Sequence, residues 1–145
     1  MTIKTIPAGG FGASARVVVV GAGAAGFCAA LSLHEVGVEV VVLERDSLPR
    51  GSTALSAGLV PASRTRFQKT LGIEDSPALF AFDIQHKAQG DADAAIVDIV
   101  TRESGPAVEW LGDRYGFPFS VVHDSTIPAI RRDGCMACRA VPVSS

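Results

Sequence analysis

Six residues, Gly21-Ala22-Gly23-Ala24-Ala25-Gly26, form a G-x-G-x-x-G directly after the apolar run Val17–Val20, and Glu44 closes a second apolar run further on. This spacing suits the binding of a dinucleotide. Gly21 permits a tight turn out of a strand. Gly23 lets backbone approach a pyrophosphate with no side chain between them, and Gly26 lets a helix pack close to the strand. The start of that helix would offer unpaired N–H groups and the positive end of its dipole to the phosphates. A carboxylate at Glu44 can accept hydrogen bonds from the two hydroxyls of a ribose, and it disfavours a 2′-phosphate there.

The loop after the acid narrows the ligand. Arg45 is followed by Arg50-Gly51-Ser52-Thr53-Ala54-Leu55-Ser56-Ala57-Gly58. Backbone amides and hydroxyls in this segment can reach a second phosphate and a flavin ring. An NAD domain usually continues with another helix at once, so FAD is favoured over NAD, which stays as the alternative.

The positioning elements follow from local pattern. Continuous β-branched residues at 17–20 suit a parallel strand buried on both faces. A helix is expected from about Ala24 to Val36, stopped by Gly37. Val38 to Leu43 reads as a second strand, parallel to the first through a right-handed crossover. Residues 45–70 are rich in Gly, Ser, Thr and Pro without a period, and read as one long functional loop. Asp75-Ser76-Pro77 then announces a helix to about Gln89, ended by Gly90. A second helix fits Asp91 to Arg102, with Ile96, Val97 and Val100 on one face. A third is expected from Gly105-Pro106, carrying Val108, Trp110 and Leu111. The fold class is α/β, with an opening Rossmann-like βαβ unit and helices after it.

Composition bounds the rest. The 145 residues are 48% hydrophobic and 19% charged with a formal net charge of −2, enough for one compact domain. Nothing in that charge favours nucleic acid. No apolar run approaches the ~20 residues that span a bilayer, and residues 1–15 read as a flexible lead rather than a signal peptide. Three cysteines make no disulfide framework, which points to a reducing cytoplasmic setting. Cys28 reads as a small buried helix residue. Cys135-Met136-Ala137-Cys138 is a C-x-x-C, but two thiolates do not close a zinc site and no metal is expected. His34 and His86 read as surface residues and His123 as a candidate for the flavin side. Asp91 and Asp93 read as a solvated helix start, Arg64 and Arg66 as a solvated loop, and Trp110 as a core anchor between helices.

Four segments, VVVVGAGAAG, GSTALSAG, GIEDSPALFAFD and AVEWL, occur in an order and spacing that resemble the fumarate reductase/succinate dehydrogenase flavoprotein family, with its soluble relatives and the 3-ketosteroid dehydrogenases. The resemblance runs from Val17 to about Asp124. It implies a glutathione-reductase-type FAD unit, incomplete here, and FAD held by Gly21, Gly23, Ala24, Ala25, Glu44 and Arg45. Ser52, Thr53, Ala57 and Gly58 would lie near the pyrophosphate and flavin. Some relatives attach the flavin to a histidine before the loop's small residues. Leu55-Ser56-Ala57 holds none, so binding is expected to be non-covalent. The implied activity is hydride transfer through the flavin to or from a C–C bond beside a carbonyl or carboxylate of a small molecule.

Such flavoproteins are several-fold longer. The proton-handling residue lies beyond the matching region, so no catalytic residue is assigned, and neither the redox partner nor the substrate is given. Residues 16–70 read as the βαβ unit and loop, and 71–124 as the helical start of a substrate domain. Residues 125–145 read as a frameshifted tail. Restoring one T after the Asp124 codon, with suitable third bases, turns STIPAIRRDGCMAC into FDYPGHSARRMHGLP, which resembles the family's substrate-side segment. On that reading the C-x-x-C is accidental. A sheet of two buried-type strands leaves a face uncovered, so weak folding and weak flavin retention are expected, and a non-catalytic fragment is the competing reading.

Overall fold

A computed structural model describes residues 14–49, 51–56, 58–122 and 137–140, the last four by backbone alone. The chain divides into two compact units, residues 1–57 and 58–145.

In the first unit, β1 (Val17–Val20) leads through the glycine turn into α1 (Ala24–Glu35), followed by β2 (Val40–Leu43) and α2 (Gly51–Leu55). β1 and β2 pair in parallel, Val17 beside Val40 through Val20 beside Leu43. α1 ends by a device that also shortens β2. Gly37 adopts φ +71°; its N–H donates to the His34 carbonyl, and the Val38 N–H to the Leu33 carbonyl. These are the two bonds of a Schellman cap. Val38 is used to close the helix, so the strand begins at Val40 rather than at 38.

The two strands alternate between half-buried and exposed residues. Val18, Val20, Val41 and Leu43 are 49%, 85%, 40% and 52% exposed. One sheet face is therefore covered and the other is bare, where strands of this composition are normally buried on both sides.

The second unit contains β3 (Leu59–Pro61), α3 (Arg66–Thr70), α4 (Pro77–Lys87), α5 (Ala94–Tyr115), β4 (Phe119–Val121) and β5 (Ala137–Ala140). β5 lies between β3 and β4, antiparallel to both, and falls within the segment read as frameshifted. His123 and Cys135 lie outside the described residues.

Residues 45–70 are not one loop. They hold α2, β3 and α3, each too short to show a period. α3 starts with a capping box: the Gln68 N–H donates to Thr65 Oγ1 and the Thr65 N–H to Gln68 Oε1, satisfying two donors at a helix start. Arg66 is not simply solvated. Its Nη1 pairs with Asp113 at 2.5 Å, and its guanidinium lies 4.9 Å from the Phe67 ring centre.

α4 starts as expected, with Ser76 Oγ accepting the Leu79 N–H and Pro77 in the first turn. The second and third expected helices are a single helix, α5, with Pro106 inside it. A proline disfavours helical backbone in the residue before it partly through that residue's Cβ. Here that residue is Gly105, which has none. The helix starts at Ala94 rather than at Asp91, with Asp93 as its cap; the Asp93 Oδ1 accepts from the Ala95 and Ile96 amides.

The buried stripe of α5 is Val97, Thr101, Gly105 and Val108, spaced along one helical face, while Ile96 and Val100 are exposed. Val108 packs with Ala62 and Phe119, against Phe67 and Leu111. Trp110 was expected as an anchor between helices. It is half-buried and meets Tyr115 of its own helix edge-on at 5.3 Å.

Ser63, Thr65, Gln68 and Thr101 are buried polar residues and are hydrogen-bonded, as buried polar groups must be. Ser63 Oγ donates to the Thr101 carbonyl, and Gln68 Nε2 to Asp75 Oδ2. Burial pushes the Asp75 carboxyl up, against the Gln68 and Ser76 hydrogen bonds that favour its charge. Among the described residues no helix is long and apolar enough to cross a membrane.

Candidate cofactor site

The first unit brings the end of β1, the start of α1 and the end of β2 together. The Gly21 N–H donates to the Leu43 carbonyl at 2.7 Å, which ties the turn to the second strand. Gly21 has φ +100°, a conformation L side chains avoid. Gly26 meets a different demand. A Cβ placed on it would collide with the Gly21 carbonyl oxygen and stand 3.3 Å from Val19 Cγ1. The helix therefore lies on the strand only because position 26 has no side chain.

Glu44 reaches back to the turn. Its Oε2 accepts the Ala22 N–H at 2.9 Å, and its Oε1 accepts the Asp46 N–H at 3.1 Å. Hydrogen bonds to the charged form favour it. The Asp46 amide, then the Ala22 amide, hold this carboxyl below the usual glutamate range, with the Arg45 amide and charge adding to the effect. Because the native value is depressed, the clamp is complete above the ordinary glutamate range and is lost as pH falls through the lowered native value. An acid titration of the Ala22 amide by NMR is expected to show a midpoint below that range in the parent, and no such step in Glu44→Gln.

The N-terminus of α1 has Gly23 as its cap residue, in extended backbone and with no side chain to accept a hydrogen bond. Thr53 of α2 supplies the acceptor: the Ala24 N–H donates to Thr53 Oγ1 at 3.0 Å. The Phe27 N–H returns to the Gly23 carbonyl. The amides of Gly23, Ala25 and Gly26 have no hydrogen-bond partner among the described residues. Three open donors at the positive end of a helix, beside a carboxylate held charged at the end of β2, fit a dinucleotide with its pyrophosphate on the turn and its ribose at the acid.

The remaining expected site residues are placed less closely. Arg45 is exposed and points its Nε at Asp46, 3.3 Å away, a surface pair of little energetic consequence. Ser52 is exposed in α2. Ala57 lies outside the described residues, and Gly58, with φ +76°, opens the second unit. Reasoning from sequence missed the contact between Thr53 and Ala24. Its signal was present: a glycine cap leaves helix amides that need an acceptor from elsewhere.

Residues 16–143 match a family model described as an FAD binding domain. The chain is 38% identical over 95 residues to a fumarate reductase (cytochrome) of Shewanella frigidimarina, covering 66% of this chain and 17% of that protein. It is 41% identical over 95 residues to a urocanate reductase of Eggerthella lenta, covering 66% of this chain and 16% of that one. Among solved structures, the open conformation of a flavocytochrome c3 fumarate reductase superposes with a TM-score of 0.73 at 28% identity, covering 92% of this chain and 22% of the other. A 3-ketosteroid-Δ4-(5α)-dehydrogenase from Rhodococcus jostii RHA1 does so at 0.64 and 34% identity, covering 73% and 22%. The chain thus spans about a fifth or less of the length of each of these proteins. It belongs to the FAD-binding family of the fumarate reductase flavoproteins.

Proposed function

We propose that this chain is the FAD-binding N-terminal part of a flavin-dependent oxidoreductase that acts on a C–C bond next to a carbonyl or carboxylate of a small molecule. The observation that carries the reading is the glycine turn between β1 and α1: open amides at Gly23, Ala25 and Gly26 with the Glu44 carboxylate beside them. Those amides take the pyrophosphate, and Glu44 takes the ribose hydroxyls in exchange for or beside its amide partners. Ser52, Thr53, Ala57 and Gly58 border the pyrophosphate and flavin, and Arg45 adds a cation near the adenosine end. When bound, the flavin supplies hydride exchange at its N5. The chain's part is to bind and orient it, with no covalent bond, since Leu55-Ser56-Ala57 offers no histidine.

The bare face of β1 and β2 favours a second reading alongside the first: a non-catalytic fragment that grips FAD weakly. The two meet in one experiment. After purification and desalting, visible flavin absorbance is expected below one equivalent, recovered on adding FAD but not NAD, and released by acid denaturation. NAD binding in preference to FAD would overturn the cofactor assignment. Stoichiometric retention would overturn the weak grip, and flavin that stays with the denatured chain would overturn the non-covalent attachment.

The cysteine usage supports a cytoplasmic setting. The shifted frame from Ser125 is part of the same proposal; a coding sequence in which no single-base restoration continues the flavoprotein would refute it.

A further inference from the structure

We infer that Thr53 is a positioning residue that caps α1 from a distance, taking the Ala24 amide and leaving those of Gly23, Ala25 and Gly26 to the pyrophosphate. The inference rests on the reading of the turn as an FAD site and adds a division of labour within it.

Helices usually meet their first orphan donors with a Ser, Thr, Asp or Asn at the cap position. That solution conflicts with this site, because a side chain at position 23 would stand where a phosphate oxygen must approach the backbone. Gly23 keeps the approach clear but brings no acceptor. Thr53 resolves the conflict from 29 residues away: its hydroxyl oxygen lies 3.0 Å from the Ala24 nitrogen. It also lies 3.5 Å from where a Gly23 Cβ would sit, and it takes the first helical amide, where a side chain at the cap position would take the second or third.

Thr53 is itself fastened. Its carbonyl accepts from the Ser56 N–H at 3.2 Å and from Ser56 Oγ at 2.9 Å. α2 has only five residues, too few to be stable alone. The contact therefore works in both directions: Thr53 caps α1, and α1 gives α2 a fixed place.

Amide-resolved NMR of the full chain tests this with and without FAD. Without cofactor, the Ala24 amide is expected to exchange about fivefold more slowly than Ala25 after correction for intrinsic rates, the size of a usual cap effect. Thr53→Ser should keep that ratio and Thr53→Val should bring it to one. Equal rates in the parent, or a ratio unchanged in Thr53→Val, would overturn the cap. On adding FAD, the shifts of Gly23, Ala25 and Gly26 are expected to move at least twofold more than that of Ala24, and Thr53→Val to weaken binding about fivefold with recovery in Thr53→Ser. The largest shift at Ala24 would refute the division of the amides. No shift at any of the four would refute the FAD reading, while the exchange ratios still judge the cap.

Discussion

Gly26→Ala is expected to abolish flavin retention and to destabilise the first unit by about 3 kcal/mol or more, the upper range for forced overpacking. The added methyl meets the Gly21 carbonyl oxygen, with the Gly21 carbonyl carbon at 3.1 Å and Val19 Cγ1 at 3.3 Å. None of these is the free end of a flexible side chain. The Gly21 backbone cannot retreat cheaply, because its N–H is bonded to the Leu43 carbonyl. Relief must come from lifting α1 off β1, which separates the open amides from Glu44. A unit with one bare sheet face has little stability in reserve. Thermal melts followed by circular dichroism and flavin absorbance after desalting check the result; a parent-like melt with parent-like flavin would show that α1 can shift without loss. Gly23→Ala is the informative contrast, since among the described residues its Cβ meets only Thr53 Oγ1, at an ordinary 3.5 Å. It is expected to weaken cofactor binding with little loss of fold.

The second large effect lies in the other unit. Gly105→Ala is expected to cost about 3 kcal/mol and to detach the segment before α3 from α5. A Cβ on Gly105 collides with the Ser63 carbonyl oxygen, with the Ser63 carbonyl carbon at 3.6 Å and Thr65 Cγ2 at 3.9 Å. Ser63 is pinned by its own hydrogen bond to the Thr101 carbonyl, and Ala62 and Thr65 beside it are fully buried. The same methyl restores the clash that a residue before proline normally suffers in a helix, so helix and packing are strained together. Gly112→Ala provides the control on the same helix. Its Cβ meets Arg66 Nη2 at 3.2 Å, the far end of a side chain that can turn aside. Equal melting temperatures for Gly105→Ala and the parent would show that the crossing of Ser63 over α5 does not support this unit.

How far the chain could be read from its residues depended on the range of the forces involved. The valine runs, the G-x-G-x-x-G and Glu44 specified a strand, turn, helix and strand because the β-branched residues, the glycine turn and the helix stop act over a few residues each. Ser76 and Pro77 announced α4 for the same reason. The Schellman cap at Gly37 was half legible: the stop was clear, but not that it would use Val38 and shorten β2.

What only the tertiary structure decided was set by contacts between distant residues. Pro106 reads as a break, yet Gly105 in front of it and Ser63 across from it let one helix run from Ala94 to Tyr115. The segment from 45 to 70 reads as loop, because five-residue helices and three-residue strands exist through their packing and caps rather than through a period. At the candidate cofactor site, the sequence alone singled out the glycine turn and Glu44 as candidates for meeting a dinucleotide. The fold determined that Glu44 also clamps Ala22 and that Thr53 caps Ala24, since a hydrogen bond across 22 or 29 residues depends on where the backbone brings two groups together and leaves no local pattern in the chain.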